Sequence, residues 1–179
     1  MKMINKKRGF FFIVDAVLAV SVLVVGIVLI STSYVKSPQQ DQVALLSDDL
    51  INFLSSKKIK DLNNPYAGIG GELWNDGNIT NGDNTLLQQI GEFYSTSQLN
   101  LSEKFIQNVS VGVIPTQFRY EVWMNSFILY PKTPSSEHMA SRDNTKLLLT
   151  SKKITFGIKD RSTDDIWGPY KAEVFIWLN

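Results

Sequence analysis

Residues 6–31 read KKRGFFFIVDAVLAVSVLVVGIVLIS and hold the longest apolar run in the chain. Three cations abut Gly9, and an apolar run begins at Phe10 with no neutral transition. From Phe10 to Ile30 the only polar side chains are Asp15 and Ser21. At about 1.5 Å of rise per residue, a helix over this run is long enough to cross a bilayer. A helix satisfies its own backbone hydrogen bonds, so the many β-branched residues do not count against it in lipid. Lys2, Lys6, Lys7 and Arg8 precede the run and no acid does. That asymmetry holds the N-terminus in the cytoplasm and places the chain after Ser31 outside it.

Three fates for this segment are open. A conventional secretory signal would be cut near Ser31 or Ser33, but its apolar region is shorter than this one and carries no acid. A plain anchor would stay uncut. The third rests on the Lys6-Lys7-Arg8-Gly9-Phe10 junction. It resembles the class III signal peptide of type IV pilins, pseudopilins and archaeal pilin-like proteins. The resemblance implies a leader, residues 1–9, removed by a prepilin peptidase between Gly9 and Phe10, with Lys6, Lys7 and Arg8 as its recognition charges. It also implies that the apolar helix stays on the mature protein and drives assembly. Bacterial members place a glutamate five residues after the cut, where this chain has Val14. The acid comes one step later, at Asp15, and the run is closer to archaeal members.

Asp15 is costly inside a membrane unless a cation meets it, by about 2.5–3.5 kcal/mol near the centre and less toward an end. It lies five residues beyond Phe10, roughly 7–8 Å along a helix. In a filament, the resemblance implies, the freed amine of a neighbouring subunit's Phe10 would be that cation. Asp15 is therefore the candidate assembly residue.

Working outward, a membrane and assembly helix over 10–36 is followed by an amphipathic helix over 37–60, with Ser37-Pro38 as a point of interruption. Val43, Leu46, Leu50 and either Phe53 or Leu54 recur at helical steps, and Asp48, Asp49 and Asn52 fall on the other side. A head domain takes up 61–179. Turn residues crowd 61–83. Thr85 and Gln88 form a capping box before Leu86, and Asn100 with Glu103 is placed to cap a second short helix ending near Gln107. Strands then follow at 117–124, 146–158 and 170–178, with a return strand or continuation over 125–130, a polar loop over 131–144 and a turn over 160–165. The expected fold is α+β: a long N-terminal helix packed on a small antiparallel sheet with two short helices, in the manner of a pilin.

The remaining residues exclude more than they suggest. Lys and Arg number 18 against 17 Asp and Glu, a formal charge of +1. Subtracting the four leader cations gives −3. Neither value supplies a basic face, so nucleic acid is not an expected partner. There is no cysteine, hence no disulfide or thiolate site. His138, the only histidine, stands among polar loop residues without a nucleophile elbow nearby, and is read as solvated. Gly68, Gly70 and Gly71 do not make a dinucleotide fingerprint. The segment 76–83 is similar to a calcium loop, but its glycine is one place late and Leu87 stands where glutamate is needed, so it reads as turns. The aromatic residues Trp123, Trp167, Tyr170, Phe175 and Trp177 read as packing rather than as a sugar platform. Asn78, Asn100 and Asn108 head glycosylation sequons, with Asn100 the weakest because it is expected to cap.

The expected function is a non-enzymatic subunit of a type IV pilus-like or pseudopilus filament on the cell surface. Its implied partners are other filament subunits, the prepilin peptidase and the membrane, with no cofactor or metal. The alternative is an uncleaved, single-pass anchored surface domain that binds a ligand or sugar.

Overall fold

The computed structural model describes residues 6–34, 38–160 and 165–178. The junction at Ser37 and most of the expected turn over 160–165 lie outside them. The chain forms two compact units, Met1–Gln40 and Asp41–Asn179.

The first unit contains helix α1, Lys6–Tyr34. The second begins within helix α2, Pro38–Ser56, whose apolar face is the expected stripe: Val43, Leu50 and Leu54 are fully buried, Ile51 nearly so, and Leu46 lies at the margin. A short 3₁₀ turn at Ile59–Asp61 follows, then helices α3 (Glu72–Asn75), α4 (Leu86–Ser95) and α5 (Leu99–Ser110). The capping box forms as the sequence predicts. Gln88 N–H donates to Thr85 Oγ1 at 3.2 Å, and Thr85 N–H donates to Gln88 Oε1 at 2.9 Å.

Strands β1 (Phe118–Met124), β2 (Phe127–Tyr130), β3 (Leu148–Asp160) and β4 (Asp165–Leu178) make one antiparallel sheet in the order β2-β1-β4-β3. Asn125 and Ser126 both have positive φ, 48° and 69°, so β2 is a return strand on a tight two-residue hairpin. Phe118, Tyr120, Val122 and Met124 share the inner face with Ala172, Val174 and Ile176, and the core lies between this face and α2, α4 and α5. Ser47 and Ser151 hydroxyls bond at 2.9 Å, and Lys153 donates to Ser55 Oγ at 2.8 Å, fixing α2 to β3.

Far along the β3–β4 hairpin, Trp167 is buried between two glycines. A Cβ on Gly91 of α4 would fall 2.4 Å from its ring, and one on Gly157 of β3 would fall 2.5 Å from it. Tyr170 stacks on the indole at 5.6 Å, and Tyr94 meets Tyr170 edge-on at 5.1 Å. The opposite face of the same hairpin carries Ile154, Phe156, Ile158 and Ile166, all more than half exposed.

Two expectations about helices require correction. The second short helix does not use Asn100 as its cap: α5 starts at Leu99, Gln98 is the N-cap, and its side chain makes no capping bond. Asn100 Oδ1 and Glu103 Oε1 instead receive Lys132 Nζ (2.6 Å) and Lys132 N–H (2.9 Å). The segment 131–144 is also not all loop. Ser135 accepts from His138 N–H at 3.1 Å and starts a further helix, α6, over Ser136–Asn144. Together with α3 this gives several short helices rather than two.

Candidate functional site

In α1 the 20 residues Phe12–Ser31 are, by length and composition, one helix able to cross a membrane. Their rise of about 30 Å matches the hydrocarbon thickness. Every large apolar side chain from Phe12 to Ile30 is at least 39% exposed. An apolar surface on all sides of a helix suits lipid or neighbouring helices, not water. Ser21 removes its own polarity by donating to Val17 O at 2.8 Å. Asp15 is exposed on the same helix, and among the described residues no cation pairs with it. Gly9 and Phe10 continue the α1 backbone, as do Lys6, Lys7 and Arg8; their side chains lie outside what the structure describes.

The other sequence candidates are dispersed over the second unit. Asn78 is half-buried in the turn after α3. Asn100 is exposed but bonded to Lys132, and half-buried Asn108 donates to Lys104 O at 3.0 Å within α5. In the segment 76–83, Asp83 faces Lys60 at 2.8 Å and Lys58 at 3.4 Å. Lys60 and then Lys58 hold its carboxyl below the usual carboxylate range. The residues there behave as turns braced by an ion pair, and Asp83 N–H bonds Asn81 Oδ1 at 3.1 Å. No metal-binding group of three or more His, Cys, Asp or Glu occurs among the described residues.

His138 does not lie in a solvated loop. Its side chain is only 12% exposed, and Nε2 meets Oε1 of Glu121 at 3.1 Å. Glu121, on the outer face of β1, is 1% exposed. Both its oxygens lie 3.4 Å from an Arg142 guanidinium nitrogen, and Oε2 also accepts from Trp123 Nε1 at 2.8 Å. A buried carboxylate is tolerable when it is paired and bonded in this way. Trp177 Nε1 donates to Ser141 Oγ at 3.1 Å, the His138 ring sits edge-on to Trp177 at 5.0 Å, and Arg119 pairs with Glu137 at 2.6 Å. Sequence reasoning missed this cluster, although Ser135 as a cap, Glu137 in the first turn and Arg142 in the last are helix signals.

The aromatic set divides. Trp123, Phe175 and Trp177 share the outer sheet face near α6, with Trp123 and Phe175 edge-on at 5.6 Å. Trp167 and Tyr170 pack together at the other end of the hairpin.

A scan against protein-family models found no match, and neither curated proteins nor solved structures gave one.

Proposed function

We propose that this chain is a structural subunit of a type IV pilus-like or pseudopilus filament, processed at Gly9-Phe10 and assembled through α1. The observation that carries this reading is the continuous apolar surface of Phe12–Ser31 interrupted by the single carboxylate of Asp15, directly behind a basic junction that ends in glycine. A simple anchor gains nothing from a carboxylate in that position. A packed assembly of helices gains a fixed register, provided each Asp15 meets a cation from a neighbour. The helix leaves the membrane as a filament forms, and its exposed aliphatic face then packs on other copies instead of on lipid. The head, with its own core, is the part presented outward.

The N-terminus of the mature protein tests this directly. Mass spectrometry of protein taken from the membrane of the native cell is expected to find Phe10 as the first residue. Gly9→Val is expected to leave the leader attached, because a peptidase site shaped for glycine has no room for a side chain. An intact leader on the wild-type protein, or normal cutting of Gly9→Val, would overturn the reading.

A further inference from the structure

The outer face of the β3–β4 hairpin is both apolar and exposed. Ile154, Phe156 and Ile158 alternate along β3, and Ile166 stands opposite Ile158 on β4, all four more than half exposed. These side chains have no route back into the core. On the inner face of the same stretch Thr155 and Trp167 are buried, with the Trp167 ring seated against Gly91 and Gly157. Turning the strands over would bring the indole out. Gln88 Nε2 donates to Phe156 O at 3.2 Å and fixes β3 at the middle of the patch. The margin is charged, and its charges are paired: Glu173 takes Lys152 at 2.8 Å and Lys171 at 2.9 Å. An apolar centre with a polar border is the layout of a protein interface.

We propose that this face binds the same face of a second copy of the chain, pairing two heads when both copies are anchored in one membrane. Its size fits a contact of that kind. An aromatic side chain offers about 150–250 Å² and the isoleucines somewhat less, so the four present roughly 400–500 Å². Two such faces bury about 800–1,000 Å² between them, at the lower edge of a specific interface. Copies free in dilute solution therefore stay apart, and copies confined to one bilayer meet at high effective concentration. Matching chemistry names the copy as the occupant. The head's other exposed large apolar side chains among the described residues are Leu45, Ile69, Val111, Phe127, Met139 and Leu148, scattered over α2, two turns, β2, α6 and the start of β3. Among the described residues of the head, the one surface that matches four clustered apolar groups is thus the same hairpin. Two strand faces pack on each other with their side chains interleaved. A lipid surface is the poorer partner, because segments that lie on membranes set cations beside their apolar residues. Here both lysines at the margin are already bonded to Glu173. A contact of like with like closes on itself, so it pairs heads and leaves the extension of a filament to α1. It rests on α1 holding the chain in a bilayer, not on filament formation.

The test uses the full chain in phosphatidylcholine vesicles. The chain has no cysteine, so a single introduced thiol reports on its own position. Ile158→Cys, treated with a short bismaleimide, is expected to give at least five times the linked dimer of Val111→Cys, a site more exposed than any of the four but apart from the hairpin. Adding Phe156→Lys to the Ile158→Cys chain is expected to bring linking down to the Val111→Cys level with melting unchanged. If Phe156→Lys lowers Tm, Ile154→Thr with Ile166→Thr, which keeps β-branched side chains on both strands, is judged by the same readout. Linking at 158 no greater than at 111, or unmoved by the patch substitutions, would overturn the pairing. A thiol at 158 that forms no dimer, yet is shielded by the vesicles from a water-soluble maleimide, would give the face to lipid and overturn it too. Vesicles of purified chain hold no assembly machinery, so failure here leaves the processing test of the filament reading standing, and failure of that test leaves this one standing.

Discussion

Two carboxylates show opposite relations to their surroundings. Asp15 sits on an apolar helix with no cation beside it among the described residues. In the proposed filament its partner is the amine of a neighbour's Phe10, so Asp15→Asn is expected to be inserted and cut normally but to lose filament yield about tenfold or more. Asp15→Glu should keep part of the yield, because a longer side chain still reaches an amine. Filament recovered by shearing, with cleavage followed in parallel, measures both; normal yield from Asp15→Asn would reduce Asp15 to a tolerated polar residue. Glu92, on α4, is half-buried and accepts from Asn84 Nδ2 at 2.9 Å. Burial pushes its carboxyl up, and the Asn84 bond only partly opposes this. Its protonated form is thus favoured in the folded state. The stability this gives is full below the unfolded value of about 4.3 and is lost as pH rises through the higher folded value. Glu92→Gln is therefore expected to raise Tm at pH 7 by about a degree or two and to leave it unchanged near pH 3. An equal shift at both pH values would mean that charge is not the cause.

Among the elements, those with a repeating apolar pattern were legible and those without one were not. The stripe Val43, Leu50 and Leu54 names the buried face of α2 because burial drives that helix. The Thr85–Gln88 box and the alternation in 118–124 are likewise local signals that local structure obeys. Helix α6 has no apolar period to read, since its contacts are polar and its main partner, Glu121, is 17 residues from His138 along the chain. The Asn100 cap failed because Lys132, far away in sequence, engages both residues of the expected motif. The fit of Trp167 against α4 and β3 was equally unreadable, as it depends on two glycines in different elements. Gly91→Ala forces a methyl into the Trp167 ring and is expected to cost about 1–3 kcal/mol in overpacking. Chemical denaturation gives the value, and near-UV circular dichroism should show the tryptophan signal altered. A neutral Gly91→Ala would mean that the ring moves aside freely.

At the scale of the whole molecule, the α+β class follows from the order of patterns, one long apolar helix and then mixed short elements, and it needed no knowledge of the site. The polar cluster on the outer sheet face did need the fold, because it joins β1, β4 and α6. The second unit has its own core, so a chain beginning at Gln39 is expected to be soluble, cooperative in melting and monomeric by light scattering. Leu50→Asp in that shortened chain places an unpaired charge in the fully buried stripe. The cost is several kcal/mol against a total of about 5–15, so the variant should be unfolded at 25 °C. Melting like the parent would show that the stripe does not face the head. A concentration-dependent dimer that Phe156→Lys abolishes would instead assign self-association to the exposed hairpin residues Ile154, Phe156, Ile158 and Ile166.

The indole of Trp167 fills space that two absent β-carbons leave open, one on a helix and one on a strand. Positions 91, 157 and 167 are therefore not free to drift one at a time. A lineage that gains a methyl at either glycine must first or simultaneously trade the indole for a smaller ring, and one that loses the indole no longer has any reason to keep either glycine. In an alignment of relatives the three columns should change together or not at all, so the volume of one side chain becomes an inherited constraint shared by three distant parts of the chain.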